Sequence, residues 1–321
     1  MSNQKSILAL CILMVTLGLT ACQKPDSKKP EPPVDQTSAS QVLPDSSLLL
    51  KGDSEKLKLA LPECDGKSCP EFSVERLQTN QPFVDQIIDQ AILLNLEQIL
   101  DISRLSKAQQ QSNKDTAQAS ASEIITKSPR EQMQDDIQPF SKAFLEMDKE
   151  LKTLGASGQI NISLSPKILN ADKPLATVVL NSSSYLGGAH GSTAQRYFNF
   201  DLVNKKQVKI DQIIENNQKN KLNELAYRAF KTWVVDAKLA ENMAEYEQVW
   251  KFQLTDNFYL AKQGLILQYG EYEIGPYVVG LPRLMIPYDQ LKGVLKTQYF
   301  PVEMQVDQPI ISAPIANKEK P

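Results

Sequence analysis

The chain is short of the side chains on which metal proteins and many enzymes depend. It has one histidine and four cysteines among 321 residues. A zinc site draws three or four ligands from Cys, His and carboxylates, so no metal or other cofactor is expected. A single imidazole, that of His190, leaves one histidine for acid–base work. No Gly-x-Ser-x-Gly elbow is present, which argues against an α/β-hydrolase. No Gly-rich strand-to-helix turn supports a doubly wound sheet, and no internal repeat is visible. Basic residues are not in surplus: 35 Lys and Arg face 38 Asp and Glu, a net charge of −3. That is the wrong sign for a nucleic-acid binder. Hydrophobic residues at 41% and charged residues at 23% are ordinary for a globular protein.

What is present begins with an address. Lys5 precedes an apolar run of 13 residues, Ile7 to Leu19. That is too short for a spanning helix, which needs about 20 residues. Leu19-Thr20-Ala21-Cys22 follows and resembles the bacterial lipobox, in which cleavage precedes a Cys whose sulfur is acylated. Residues 1–21 thus read as a lipoprotein signal peptide and Cys22 as the lipidated residue. Each buried CH₂ of an acyl chain contributes about 0.8 kcal/mol, so several chains on one Cys hold firmly to a bilayer. Losing Lys5 with the signal takes the net charge from −3 to −4. Gln23 rather than Asp follows Cys22, which by resemblance to Gram-negative lipoproteins favours the outer membrane, facing the periplasm. Residues 22–45 hold Pro25, Pro30, Pro32 and Pro33 among Lys, Asp and Ser, and read as a disordered tether. In an oxidising compartment the remaining pair, Cys64 and Cys69, is expected to form a structural disulfide around Asp65-Gly66. A redox-active pair is the competing reading, although the spacing is not Cys-x-x-Cys.

Period and composition then give the elements. Phe72 to Gln78 alternates as a strand. Pro82 to Arg104 reads as a helix on the spacing Val84, Ile88, Ile92, Leu96, Ile99, Ile102. Residues 106–121 lack periodicity and read as a loop or exposed helix. Residues 131–154 read as a second helix, with Pro139 implying a kink or a later start. Strands are expected at 159–164, 175–185 and 196–202, and a short extended piece at Val208–Ile210 before a turn capped by Asp211. A helix at 218–242 follows. A hairpin at 258–260 and 265–267, an extended segment at 272–280, a strand at 283–287 and a last helix at 288–296 complete the fold. The tail from Pro301 is polar. The pattern predicts an α+β protein with antiparallel sheet packed by helices. It divides as a helix-rich part at 46–154, a domain at 155–297 and a disordered tail at 298–321.

A family resemblance rests on an ordered series of motifs. These are Tyr185-Leu186-Gly187-Gly188-Ala189-His190-Gly191, Tyr197-Phe198-Asn199-Phe200-Asp201-Leu202, Asn257-Phe258-Tyr259-Leu260, Gly264-Leu265, Tyr272-Glu273-Ile274-Gly275-Pro276-Tyr277 and Ile286-Pro287-Tyr288. Over roughly 155–297 the series resembles the RsiV-like extracellular domain, a domain of unknown function also found beside deacetylase domains. In that family an anti-sigma factor binds lysozyme through this domain. The resemblance implies a binding module, with a lysozyme-like muramidase as the implied protein ligand. The short stretch before the apolar run does not fit a sigma-factor-binding domain. One histidine does not fit a deacetylase metal site.

Two loops carry the candidate binding residues. Gly188, His190 and Ser192 lie in a glycine-rich connection that would present His190 and Ser192, or would serve only as a tight turn. Ser182 to Ser184 and Ser192 lie near His190 in sequence, so a Ser/His/acid triad stays open. Tyr272, Pro276 and Tyr277 are rigid groups that lose little entropy on binding, or they pack against the sheet. The paired carboxylates Asp135-Asp136 and Glu271/Glu273 read as solvated rather than catalytic. No catalytic residues are assigned. The expected function is an envelope-anchored binding module, and the alternative is a peptidoglycan-acting enzyme or accessory factor.

Overall fold

The structure is a computed structural model that describes residues 48–59, 61, 69–102, 127–156 and 158–305. The signal peptide, Cys22, the tether up to residue 45, Cys64, the 106–121 segment and the tail after residue 305 lie outside the described residues. Cys69 is disulfide-bonded. Among the described residues no helix is long and apolar enough to cross a membrane.

A six-stranded sheet runs β1 (Gly52–Lys56), β2 (Glu71–Thr79), β3 (Asn161–Asn170), β4 (Ala176–Tyr185), β5 (Ser192–Asp201) and β6 (Lys206–Val208), in that spatial order. Every neighbouring pair is antiparallel except β2 and β3, which are parallel. A parallel pair needs a crossover, and two helices supply it: α1 (Pro82–Leu100) and α2 (Pro129–Thr153). The expected α+β class with mostly antiparallel sheet is what forms.

The apolar stripe of α1, Val84, Ile88, Ile92 and Leu96, is fully buried against the sheet residues Val74, Ile162, Leu164, Leu180 and Phe200. Each such side chain contributes about 1.5–3 kcal/mol by burial. Phe144 of α2 packs on Phe72 with ring centroids 5.2 Å apart. α2 starts at a full capping box: the Ser128 hydroxyl accepts from the Glu131 amide, and the Glu131 carboxylate accepts from the Ser128 amide. It runs through Pro139 unbroken. The Pro139 ring lies on the exposed side, while Met133, Ile137, Phe140 and Phe144 are buried on either side of it, and that packing outweighs the local cost.

A second sheet, β7 (Phe258–Leu260), β8 (Gly264–Gln268) and β9 (Arg283–Pro287), packs with α4 (Lys219–Asp236), which follows the short α3 (Ile210–Ile213). The two sheets are tied by polar bonds: Asn199 Nδ2 donates to the Phe258 carbonyl at 2.7 Å, and Asn257 Nδ2 to the Gln195 carbonyl at 2.7 Å. Tyr197 and Tyr259 stack across the seam at 4.4 Å.

Several local expectations change. The buried clusters change over near residues 202–208, not at 154/155, because the large sheet draws β2 and β3 from both sides of that boundary. The 218–242 helix ends at Asp236, with Lys238 at positive φ, and a separate helix α5 (Met243–Val249) follows. The extended piece ends at Val208, Lys209 is the N-cap of α3, and Asp211 instead pairs with Lys219. The last helix shrinks to a single 3₁₀ turn at Tyr288–Leu291, with Gly293 at positive φ just beyond. Residues 302–305 form a helical turn, α6 (Val302–Gln305).

Candidate functional site

The two loops singled out by sequence meet. His190, in the β4–β5 connection, stacks on Tyr277 with ring centroids 4.8 Å apart and planes 22° from parallel. Tyr277 stacks on Tyr272 at 5.6 Å, and Tyr272 on Trp250 at 6.4 Å. Four rings from three segments thus form one ladder. Trp250 was not among the expected residues; it caps α5, a helix too short and too weakly periodic to have been separated from its neighbour.

Each rung is held by its local backbone. Gly187 sits at φ +86°, and an added Cβ would lie 3.3 Å from Leu151 of α2, so the turn needs glycine there. Gly188 is exposed and its Cβ would meet nothing closer than 3.8 Å. The Tyr277 hydroxyl donates to the Gly191 carbonyl at 3.0 Å, which joins the two loops directly. Glu271 joins them again: it accepts from Ser192 Oγ at 3.1 Å, from the Thr193 amide at 3.0 Å and from Thr193 Oγ1 at 2.6 Å. Glu273 accepts from the Gly270 amide at 2.9 Å. So Glu271 and Glu273 are loop fasteners rather than a solvated pair. In the other expected pair, Asp135 binds Lys127 and Asp136 accepts from Gln132.

The 272–280 segment is a compact loop rather than an extended one. Tyr272 adopts φ +62°, an uncommon conformation for a side chain of that size, of the kind that collects at functional sites. Pro276 leads into a 3₁₀ turn at Tyr277–Val279, and its carbonyl accepts from the Val279 amide. Gly275 is the pinch point: a Cβ there would lie 2.9 Å from Trp233 and 3.0 Å from the Tyr246 hydroxyl, which itself donates to the Ile274 carbonyl. Tyr272 is 55% exposed and Val278 at the loop tip 86% exposed.

The geometry does not assemble a triad. The Ser192 hydroxyl is directed to Glu271, while the His190 ring lies against Tyr277. Ser184 pairs with Ser192, and Ser182 with Ala194, across the β4–β5 ladder. Among the described residues no group of His, Cys, Asp and Glu is arranged to hold a metal ion.

A cleft of about 760 Å³ lies elsewhere, between β2, α1 and the start of α2. Within it Arg76, almost fully buried, binds Asp89 through Nε and Nη2 at 3.0 Å. Burial pushes the Asp89 carboxyl up to about 6, against the opposing pull of the Arg76 guanidinium. One oxygen of Asp89, Oδ1, is buried without a partner among the described residues.

An α+β domain with an exposed aromatic ladder between two fastened loops is the class of protein defined so far. Residues 211–289, from α3 to the 3₁₀ turn after β9, match the family described as "Protein of unknown function (DUF3298)". The resemblance seen in the sequence, to a domain of unknown function shared with deacetylases, is borne out. The peptidoglycan-N-acetylmuramic acid deacetylase PdaC of Bacillus subtilis (strain 168) is 27% identical over 171 residues, 51% of this chain and 34% of that protein. The chain therefore spans about a third of the length of that relative. Two crystal structures of DUF3298 family proteins share the fold. The one from Pseudomonas aeruginosa PAO1 is 22% identical with a TM-score of 0.52, over 79% of this chain and 97% of that one. The one from Bacteroides fragilis NCTC 9343 is 19% identical with a TM-score of 0.53, over 78% and 94%.

Proposed function

We propose that the protein is a lipid-anchored binding module of the bacterial cell envelope that captures a protein, with a lysozyme-like muramidase as its partner. The observation that carries the reading is the ladder His190–Tyr277–Tyr272–Trp250 with Val278 at its tip. Aromatic groups clustered and held in place beforehand are what protein interfaces concentrate their affinity in. The fastening by Glu271 and by the Tyr277 hydroxyl means that little ordering remains to be done on binding. The envelope setting is supported by the similarity to a peptidoglycan deacetylase and by the expected lipid on Cys22. A net charge of −4 after signal removal does not repel a basic muramidase. The direction of the Ser192 hydroxyl favours binding over acyl transfer. A second reading, an accessory factor for a peptidoglycan-acting enzyme, is supported by the same relative and would use the same face.

The test is binding of the purified chain to immobilised hen and bacterial muramidases at low and moderate salt. Saturable binding at micromolar or tighter, weakened at least tenfold by Tyr277→Ala, is expected. Failure to bind any muramidase tested would remove that partner and leave the accessory reading.

A further inference from the structure

Three hairpin turns meet at one end of the fold, the end at which the chain enters it. They are the β3–β4 turn at 171–175, the β5–β6 turn at 202–205 and the β7–β8 turn at 261–263. The pairing of Ala176 with Phe200 puts the first two at the same end of the large sheet. With the segment at 298–305 the three turns line a cleft of about 680 Å³, which the buried rings of Phe200 and Phe300 floor. Leu48 lines it too, and the Leu50 amide donates to the Ala171 carbonyl at 2.9 Å. The chain that comes from Cys22 therefore joins the fold beside this cleft. His190 and the ladder lie past the other end of β4, a strand of ten residues, which is about 30 Å of length.

Each turn is fixed, and each carries lysine. Asn170 Nδ2 donates to the Asp172 and Leu175 carbonyls at 3.0 and 2.8 Å and holds the first, which bears Lys173. The Asp201 carboxylate accepts from the Val203 and Asn204 amides at 3.1 and 3.0 Å and holds the second, which bears Lys205. The Ala261 amide donates to the Gly264 carbonyl at 2.9 Å and holds the third, which bears Lys262. Lys173, Lys205 and Lys262 are exposed and make no ion pair among the described residues. The same segments hold three acids. Asp201 is turned to its own backbone and is offset by Lys206, Asp172 accepts from the Lys173 amide at 2.6 Å, and Glu303 stands on α6. A chain of net charge −3 thus presents three unpaired lysines at the end where it is tethered. Two apolar side chains stand among them on the lining of the cleft: Val203 at the tip of its turn, 61% exposed, and Val302 on α6, 71% exposed. Cations beside exposed apolar groups, on rigid tips around a recess, suit a surface that is charged outside and apolar beneath, as an anionic bilayer is.

We propose that this end of the fold docks on an anionic phospholipid bilayer, with Lys173, Lys205 and Lys262 at the lipid phosphates and Val203 and Val302 at the acyl boundary. The proposal rests on the reading of Cys22 as the lipidated residue. Cys22 lies 26 residues before Leu48, and a flexible tether of that length has a root-mean-square span of about 30 Å. The anchor keeps the lysine tips within reach of the lipid, so a weak surface affinity is enough to seat them. Seated in this way, the molecule holds its ladder away from the bilayer, open to a soluble partner. The test uses the mature chain from residue 22 with Cys22→Ser, so that no acyl chain contributes. Its cosedimentation is measured with vesicles of phosphatidylcholine alone and with about 30% phosphatidylglycerol, at low and moderate salt. Binding to the phosphatidylglycerol vesicles is expected at low salt, at least tenfold stronger than to phosphatidylcholine and weakened by added salt. The double variant Lys173→Glu, Lys262→Glu is expected to lose at least tenfold, and Val203→Ser to weaken binding at both salt concentrations. Should the double variant unfold, Lys205→Glu on the third turn reads the same face. Absence of binding to the phosphatidylglycerol vesicles overturns the proposal, and so does equal binding to both vesicle types or binding that survives the lysine variants. Acylation of Cys22 is read separately from the mass of the native chain, and muramidase capture is read without lipid, so failure of either is told apart from failure of the docking face.

Discussion

Replacing Gly275 by Ala tests whether the ladder is held from beneath. The backbone at Gly275 is not at positive φ, so alanine meets no conformational objection there. The objection is space: the new methyl would lie 2.9 Å from Trp233, 3.0 Å from the Tyr246 hydroxyl and 3.0 Å from Val279. Overpacking of this kind costs about 1–3 kcal/mol. The Tyr246 hydroxyl must also retreat from the Ile274 carbonyl, now 2.9 Å away, and a lost hydrogen bond adds about 1 kcal/mol. Together that is about 2–4 kcal/mol, or roughly 5–15 °C in Tm for a fold of this size. The assay is tryptophan fluorescence during thermal unfolding. The chain has two tryptophans, Trp233 beside the new methyl and Trp250 in the ladder, so emission reports this region alone. Gly280→Ala in the same loop is the control. Gly280 is at φ +65° and ψ −124° with nothing within 4 Å, so its cost is purely conformational, about 1–3 kcal/mol. If Gly275→Ala leaves both the Tm and the native emission of the parent unchanged, the pinch does not exist.

Tyr272→Gly relieves the positive φ of that residue, worth about 1 kcal/mol, and removes two ring contacts worth a similar amount. Stability by denaturant titration should stay within about 1 kcal/mol of the parent, while muramidase binding falls at least tenfold; equal loss of both would mean that the ladder is only packing. Asp89, raised from 3.8 to about 6, holds a proton in the folded chain at pH values where the unfolded chain has released it. Its contribution to stability therefore falls as pH rises between about 4 and 6. Arg76→Gln removes the guanidinium that opposes the shift, so the Asp89 midpoint followed by NMR should move above 6; a downward move would refute the burial argument.

Elements with a strong period were legible in the chain. The four-and-three spacing of α1 and of Met133 to Phe144 fixed two helices, and β4 was found to within one residue at its start. β1, Gly-Asp-Ser-Glu-Lys, carries no apolar residue and is a strand only because β2 offers it a partner. Pro139 does not delay the start of its helix, because buried neighbours outweigh the local rule. For the candidate site, His190, Tyr272 and Tyr277 could be picked out as residue types. Their stacking, and the parts played by Trp250 and Glu271, depend on β5 lying against the 270–280 loop, a contact between segments distant in sequence.

The parallel pairing of β2 with β3 has a consequence for the order in which the chain can assemble. Glu71 meets Asn161 only after both crossover helices have been made, and closing so long a loop is entropically expensive. Once residue 202 is available, however, the first buried cluster has all its members. The second needs Leu175, just before β4, together with residues 208–300, so it has a finished surface to grow on. A chain delivered N-terminus first can thus complete one half while the other is still arriving. The ladder needs residues 190, 250, 272 and 277 at once, so it joins a loop of the large sheet to segments of the second half.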